Sequence, residues 1–145
     1  MSQVEDFLTT VEEQTIINAI REAEKNTSGE IRVHLERHSD KDALDRAKEV
    51  FYFLKMDETS AQNGVLFYVA VDDHQFSILG DTGIDKAVPD DFWASIKDQV
   101  LEHFTRGDYA LGLEEGIRAT GMKLKEYFPL DTHDSNELSD EISLG

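Results

Sequence analysis

The stretch "VLFYVAV", residues 65–71, is apolar on both faces of a two-residue repeat. A strand of that kind has to be covered on both sides, which calls for a sheet with helices packed over each face. It is also the longest apolar run of the chain, far short of the about 20 residues that a membrane-spanning helix needs. The run therefore predicts the central strand of a layered α/β domain.

Its surroundings supply the rest of that domain. "EIRVHLE", 30–36, alternates strictly, with Ile31, Val33 and Leu35 facing one way and Arg32, His34 and Glu36 the other. It predicts a strand with one wet or partly covered face. Between the two strands, Ser39 with Asp42 begins a helix carrying Ala43, Leu44, Ala47, Val50, Phe51 and Leu54. A strand–helix–strand crossover sets 30–36 and 64–71 parallel. "DDHQ", 72–75, turns the chain, and "FSILG", 76–80, returns antiparallel.

Helices precede and follow. Thr10 with Glu13 fits a capping box ahead of Ile16, Ile17, Ile20 and Ala23, and that helix stops by "NTSG", 26–29. Pro89 suits the first position of a later helix, with Asp90 and Asp91 in its first turn and Trp93, Ile96, Val100 and Phe104 as its buried stripe. Arg106-Gly107 closes it. Asp108 can cap the last helix, whose inner face is Leu113, Ile117, Leu124 and Phe128; Gly112 and Gly116 there predict close approach to a neighbour. The order αβαββαα predicts a three-layer α/β/α sandwich around a small mixed sheet, one domain over 1–129. "LDTHDSNELSDEISLG", 130–145, has five acids and no Lys or Arg, and is expected to be a disordered acidic tail.

Charge narrows the function classes. The 31 acids against 14 bases in 145 residues give −17, a field that repels nucleic acid and anionic membranes and gathers cations. No cysteine is present, so disulfides, thiolate metal sites and cysteine nucleophiles are excluded. "MSQVEDFLTT" does not resemble a signal peptide, and the expected address is the cytoplasm. No P-loop, G-x-S-x-G, H-E-x-x-H or dinucleotide fingerprint occurs.

The strand directions gather the acids at two rims. One collects Glu30, Asn63, Asp81 and Asp85, with Thr27 and Ser28 nearby; the other collects Glu36, Asp72, Asp73 and His74. Carboxylates, amides and hydroxyls are the ligands of Ca2+ and Mg2+, and Ca2+ tolerates irregular oxygen cages better. Asp81-Thr82-Gly83-Ile84-Asp85 reads first of all as a strand-ending turn, in which Gly83 lets the chain bend sharply. It does not have the spacing of an EF-hand. His34 and His38 do not share a helical face, and His74, beside Asp72 and Asp73, could ligate a transition metal or occupy a hairpin turn.

"AEKNTSGEIRVHLE", "NGVLFYVAVDDHQFSILGDTGI" and "FTRGDYALGLEEGIRATGMKLKEYFP" together resemble the TPM domain family, over about residues 10–129. The resemblance implies a three-layer fold. It implies divalent cations, calcium especially, and for the plant thylakoid members an acid phosphatase activity linked to photosystem II repair. Asn63-Gly64 and Gly80-Asp81-Thr82-Gly83 match the family's loop blocks, so Asn63 and Asp81 inherit places in its acidic crevice. "VEDFLTT" departs from the D-x-x-G-x-L-S-like start of the founding members in lacking the glycine. The leading expectation is a soluble TPM-type domain that binds a divalent cation, Ca2+ before Mg2+, through Asp81, Glu30, Asp85 and Asn63, in a binding or accessory role. The alternatives are a metal-dependent phosphomonoesterase using the same cluster, and a purely structural interaction module.

Overall fold

The computed structural model describes residues 7–89, 91–130 and 140–145. Along the chain run α1 (Thr10–Glu24), β1 (Glu30–Glu36), α2 (Ala43–Phe53), β2 (Gly64–Ala70), β3 (Gln75–Gly80), α3 (Thr82–Ala87), α4 (Ala94–Thr105), α5 (Tyr109–Tyr127) and β4 (Ser143–Leu144). The sheet order is β3-β2-β1-β4. β1 lies parallel to β2, with Glu30 opposite Gly64, and β2 antiparallel to β3, with Val65 opposite Gly80.

Every residue of β2 is buried, because helices cover both faces of it. Val65, Phe67 and Val69 join Ile31, Val33, Leu35, Phe76 and Ile78 under α1, α4 and α5. Leu66, Tyr68 and Ala70 pack on the other side against Ala47, Val50 and Phe51 of α2. The three-layer α/β/α sandwich follows directly from that division. The glycines of α5 let it sit deep. A β-carbon at Gly116 would stand 2.5 Å from Val100, and one at Gly121 2.5 Å from Ala23.

Four local expectations change. The capping box is one residue earlier, with Thr9 Oγ1 accepting from Glu12 N and Glu12 Oε1 accepting from Thr9 N. Asp42, not Ser39, caps α2, by accepting from Leu44 N. Pro89 opens no helix. It begins a turn in which Phe92 N donates to the Pro89 carbonyl, and α4 starts only at Ala94. The expected Asp90 contribution lies outside the described residues. Finally, the turn expected after β3 is α3, an extra helix, so the order becomes αβαββαααβ.

The last added element comes from the stretch read as a disordered tail. Residues 140–145 lie against the sheet, with Ser143 and Leu144 paired in parallel to His34 and Leu35. Gly145 N donates to the Leu35 carbonyl at 2.9 Å. Residues 131–139 lie outside the described residues. No helix of the described residues is long and apolar enough to cross a membrane.

Candidate functional site

The rim at the start of β1 is assembled by backbone pairing before any side chain is considered. Glu30 N donates to the Asn63 carbonyl at 3.3 Å, and Asp81 N donates to the Gly64 carbonyl at 2.9 Å. Glu30, Gly64 and Asp81 thus stand side by side across the sheet, and strand alternation puts them on one face. Gly64 contributes no side chain between the two carboxylates. Glu30, Asn63 and Asp81 are 3%, 1% and 6% exposed, so all three are buried together with Thr27.

The surrounding loops are tied to this rim. Thr59 Oγ1 accepts from Asn63 N, and Asn63 Nδ2 donates to Ser28 Oγ at 3.1 Å. Thr27 and Ser28 are bound in turn to the Phe128 carbonyl at the end of α5. α3 is pressed against the 59–63 loop, where Gly83 N donates to the Gln62 carbonyl at 2.9 Å. A β-carbon at Gly83 would stand 2.3 Å from the Ala61 carbonyl oxygen, so glycine is needed for this contact and not for a sharp bend.

Asp81 is the residue with two ends. Its Oδ1 accepts from Thr82 N at 2.7 Å and so caps α3. Its Oδ2 is buried and has no hydrogen-bond partner among the described residues. A buried carboxylate oxygen left in that state is costly unless something binds it. Asp85, one turn along, is exposed; desolvation and then the Asp81 charge hold its carboxyl above the ordinary aspartate value. The sequence-expected residues therefore divide: Glu30, Asn63 and Asp81 share a buried edge, and Asp85 is an outer neighbour. Among the described residues, no three or more His, Asp or Glu side chains converge on one point.

The second rim is of a different kind, because each acid there has a basic partner. Arg37 Nε donates to Asp72 Oδ2 at 2.8 Å. Asp73 meets His38 Nδ1 at 2.7 Å and accepts from Ser39 N at 2.9 Å, and these two contacts draw its carboxyl below the ordinary value. Glu36 accepts from Arg46 and from the Tyr68 hydroxyl. His74 takes a left-handed backbone conformation, φ 53°, in the hairpin turn. This rim is neutralised from within and leaves the first as the acidic edge with an unanswered oxygen.

Sequence reasoning missed the partners of the polar stripe along β1. The face of Arg32, His34 and Glu36 reads as wet or partly covered, and His34 and Glu36 are each 5% exposed. His34 stacks on Tyr68, its register partner, with ring centroids 6.0 Å apart, and its Nδ1 lies 3.0 Å from Ser143 Oγ. Burial drives the His34 imidazole below its ordinary pKa, towards the neutral form. The available signal was a tyrosine inside the otherwise apolar β2 run, which needs a buried hydrogen-bond partner. Glu24 was missed as well. Its Oε2 accepts from Ile31 N at 2.9 Å, and burial, with Asp140 beside it, pushes its carboxyl up to about 9.

The sequence matches the TPM domain over residues 1–123. The solved structure of BA42 protein from the psychrophilic bacterium Bizionia argentinensis is similar over 100% of both chains, with 53% identity and a TM-score of 0.92. The N-terminal domain of a protein from P. gingivalis shares 23% identity over 84% of this chain and 79% of that one, with a TM-score of 0.67. The N-terminal domain of the cg2496 protein from Corynebacterium glutamicum shares 13% identity over 90% of this chain and 84% of its own, with a TM-score of 0.65. These last two are likenesses of fold alone. No curated protein matches the sequence.

Proposed function

Because the chain belongs to the TPM domain family, we propose that it is a binding module that takes a divalent cation at the buried sheet edge, calcium in preference to magnesium. The single observation behind this reading is Asp81 Oδ2, a buried carboxylate oxygen with no hydrogen-bond partner among the described residues, set on the same edge as a second buried acid. Asp81 would be the central ligand. Glu30 would supply the second carboxylate from across Gly64. Asn63, which spends its Nδ2 on Ser28, would offer its amide oxygen. Asp85 would add charge from outside. An oxygen set with two carboxylates and amide or water ligands suits a hard cation, and its irregular shape suits Ca2+ over the octahedral Mg2+.

The test is a Ca2+ titration followed on assigned backbone amides. Saturable shifts at 27–30, 63–64 and 80–85, larger than those with Mg2+, are the expected result. Amides there that stay in place at millimolar Ca2+ would dismiss the site. Adding a generic phosphomonoester with and without metal separates this reading from a phosphatase: binding without turnover supports the module, and metal-dependent turnover replaces it with an enzyme.

A further inference from the structure

The residues from Asp140 to Gly145 are held to the outer edge of β1 by a small set of separate contacts. Arg21 Nε lies 3.6 Å from Asp140 Oδ2, and Glu24 is hydrogen-bonded to the same carboxyl. Ile142 is half-buried against the main core. Ser143 Oγ meets His34 Nδ1 at 3.0 Å. Leu144 points outward, half exposed, and Gly145 N donates to the Leu35 carbonyl. A β-carbon at Gly145 would stand 2.7 Å from His34 Nε2 and 3.2 Å from Glu36 Cβ, so a larger residue there has to shift the His34 ring. Each contact belongs to a different residue, so the edge of β1 discriminates along the sequence of whatever lies on it.

Two features distinguish this edge from a plain sheet margin. The paired strand is only two residues long, so little backbone pairing commits the segment to it. The selective contacts, in contrast, come from residues built into the fold: His34 is fixed by stacking on Tyr68, and Glu24 is fixed by accepting from Ile31 N. Strand addition to an exposed edge, with main-chain bonds for affinity and side-chain niches for selectivity, is a recurrent way of recognising extended peptides. Here the chain's own residues display the ligand chemistry.

We propose that the outer edge of β1 is a docking slot for an extended segment of a partner protein with the pattern acid–x–apolar–Ser–x–Gly, added parallel to β1, and that residues 140–145 of this chain fill the slot in cis. Arg21 and Glu24 read the acid, the core margin reads the apolar residue, His34 reads the serine, and the ring of His34 favours glycine at the last position. The cis segment acts as a competitor with a high effective concentration, so a partner engages only when it displaces that segment. The slot is independent of the cation edge and uses neither Asp81 nor Asn63.

The test uses the full chain. Ile142→Asp with Gly145→Pro removes the apolar anchor and the Gly145 N–H, and places a ring against His34. The amides of residues 33–36 and the His34 ring signals are then expected to move away from their original positions. Adding the peptide Asp-Glu-Ile-Ser-Leu-Gly should return them saturably, a scrambled peptide should not, and His34→Ala in the same background should abolish the return. Excess peptide on the unmodified chain gives a second readout that needs no variant: signals of 142–145 should leave their original positions while those of β1 stay. Failure of the peptide to do either would overturn the slot, and so would equal activity of the scrambled peptide. Concentration-dependent dimerisation of the unmodified chain that exchanges the same signals would assign the slot to a second copy and overturn the partner reading.

Discussion

Glu36 grips the Arg46 guanidinium through both of its oxygens, Nε donating to Oε2 at 2.8 Å and Nη2 to Oε1 at 2.9 Å. The Tyr68 hydroxyl donates to the same carboxylate from the sheet side. Burial alone would raise the Glu36 carboxyl, but Arg46 and Tyr68 together hold it below the ordinary glutamate value. The pair thus ties α2 to β1 across a strip of the sheet that carries no apolar side chain on that face.

Arg46→Ala leaves Glu36 buried without its cation. Removing one partner of a buried pair is strongly destabilising, but Arg46 is itself about one-third exposed. We expect a loss of about 2–3 kcal/mol in urea unfolding at pH 7, less than for a fully buried pair. The loss should shrink as pH falls through the folded-state value of Glu36, since the stability from a depressed carboxyl is present above its unfolded value and disappears on protonation. A loss unchanged by acid would assign the effect to packing of the arginine stem.

Glu24 has the opposite sign. Its carboxyl is raised from 4.5 to about 9 in the fold. Below 4.5 both states hold the proton; between 4.5 and 9 the unfolded chain releases it and the folded chain keeps it, so this group lowers stability as pH rises through that window. Glu24→Gln retains an oxygen for Ile31 N and an N–H for Asp140. The substitution should stabilise the protein by about 1–3 kcal/mol at pH 8 and do little at pH 4, read as the difference in unfolding free energy between the two proteins.

Asp81→Asn separates the two ends of that side chain. Asparagine caps a helix as well as aspartate does, so α3 should persist and stability at pH 7 should change by only about 0.5 kcal/mol or less. The Ca2+-induced amide shifts should fall at least about tenfold in affinity, as expected when one carboxylate ligand loses its charge. Unchanged Ca2+ affinity in the folded variant would remove Asp81 from the site.

Gly83→Ala drives a methyl into the carbonyl oxygens of Ala61 and Gln62, at 2.3 and 2.5 Å from the ideal β-carbon position. Both are backbone atoms, so relief requires moving the loop or the helix. The expected cost is about 1–3 kcal/mol in thermal or urea unfolding. Amide shifts should concentrate at 61–64 and 81–85. A neutral result would mean that α3 separates easily from the loop.

The sheet was legible because its signals are local. Alternation in "EIRVHLE" marked β1 from Glu30 to Glu36, and the doubly apolar run marked β2 within one residue. From those two strands and the antiparallel return of β3, one edge was expected to collect Glu30, Asn63, Asp81 and Asp85, and the first three share it. What escaped depended on partners far along the chain. Strand alternation cannot tell a face turned to water from one covered by Arg46, Tyr68 and Ser143, the last of which is 109 residues from His34. α3 escaped for a different reason. It is six residues long, and an aspartate before Thr-Gly serves a turn and a helix cap by the same hydrogen bond. β4 has two residues in an acidic stretch, too few for any period to register.

The glycines of α5 have a mechanical consequence. Where Gly116 meets Val100 and Phe67, and Gly121 meets Ala23, helix backbones and side chains interlock with no slack, so sliding in that layer requires several contacts to break at once. In the opposite layer α2 packs Ala47, Val50 and Phe51 against Leu66, Tyr68 and Ala70 and is tied to β1 by the Glu36–Arg46 pair. A deformation imposed by a ligand should therefore move α1, α4 and α5 as one body.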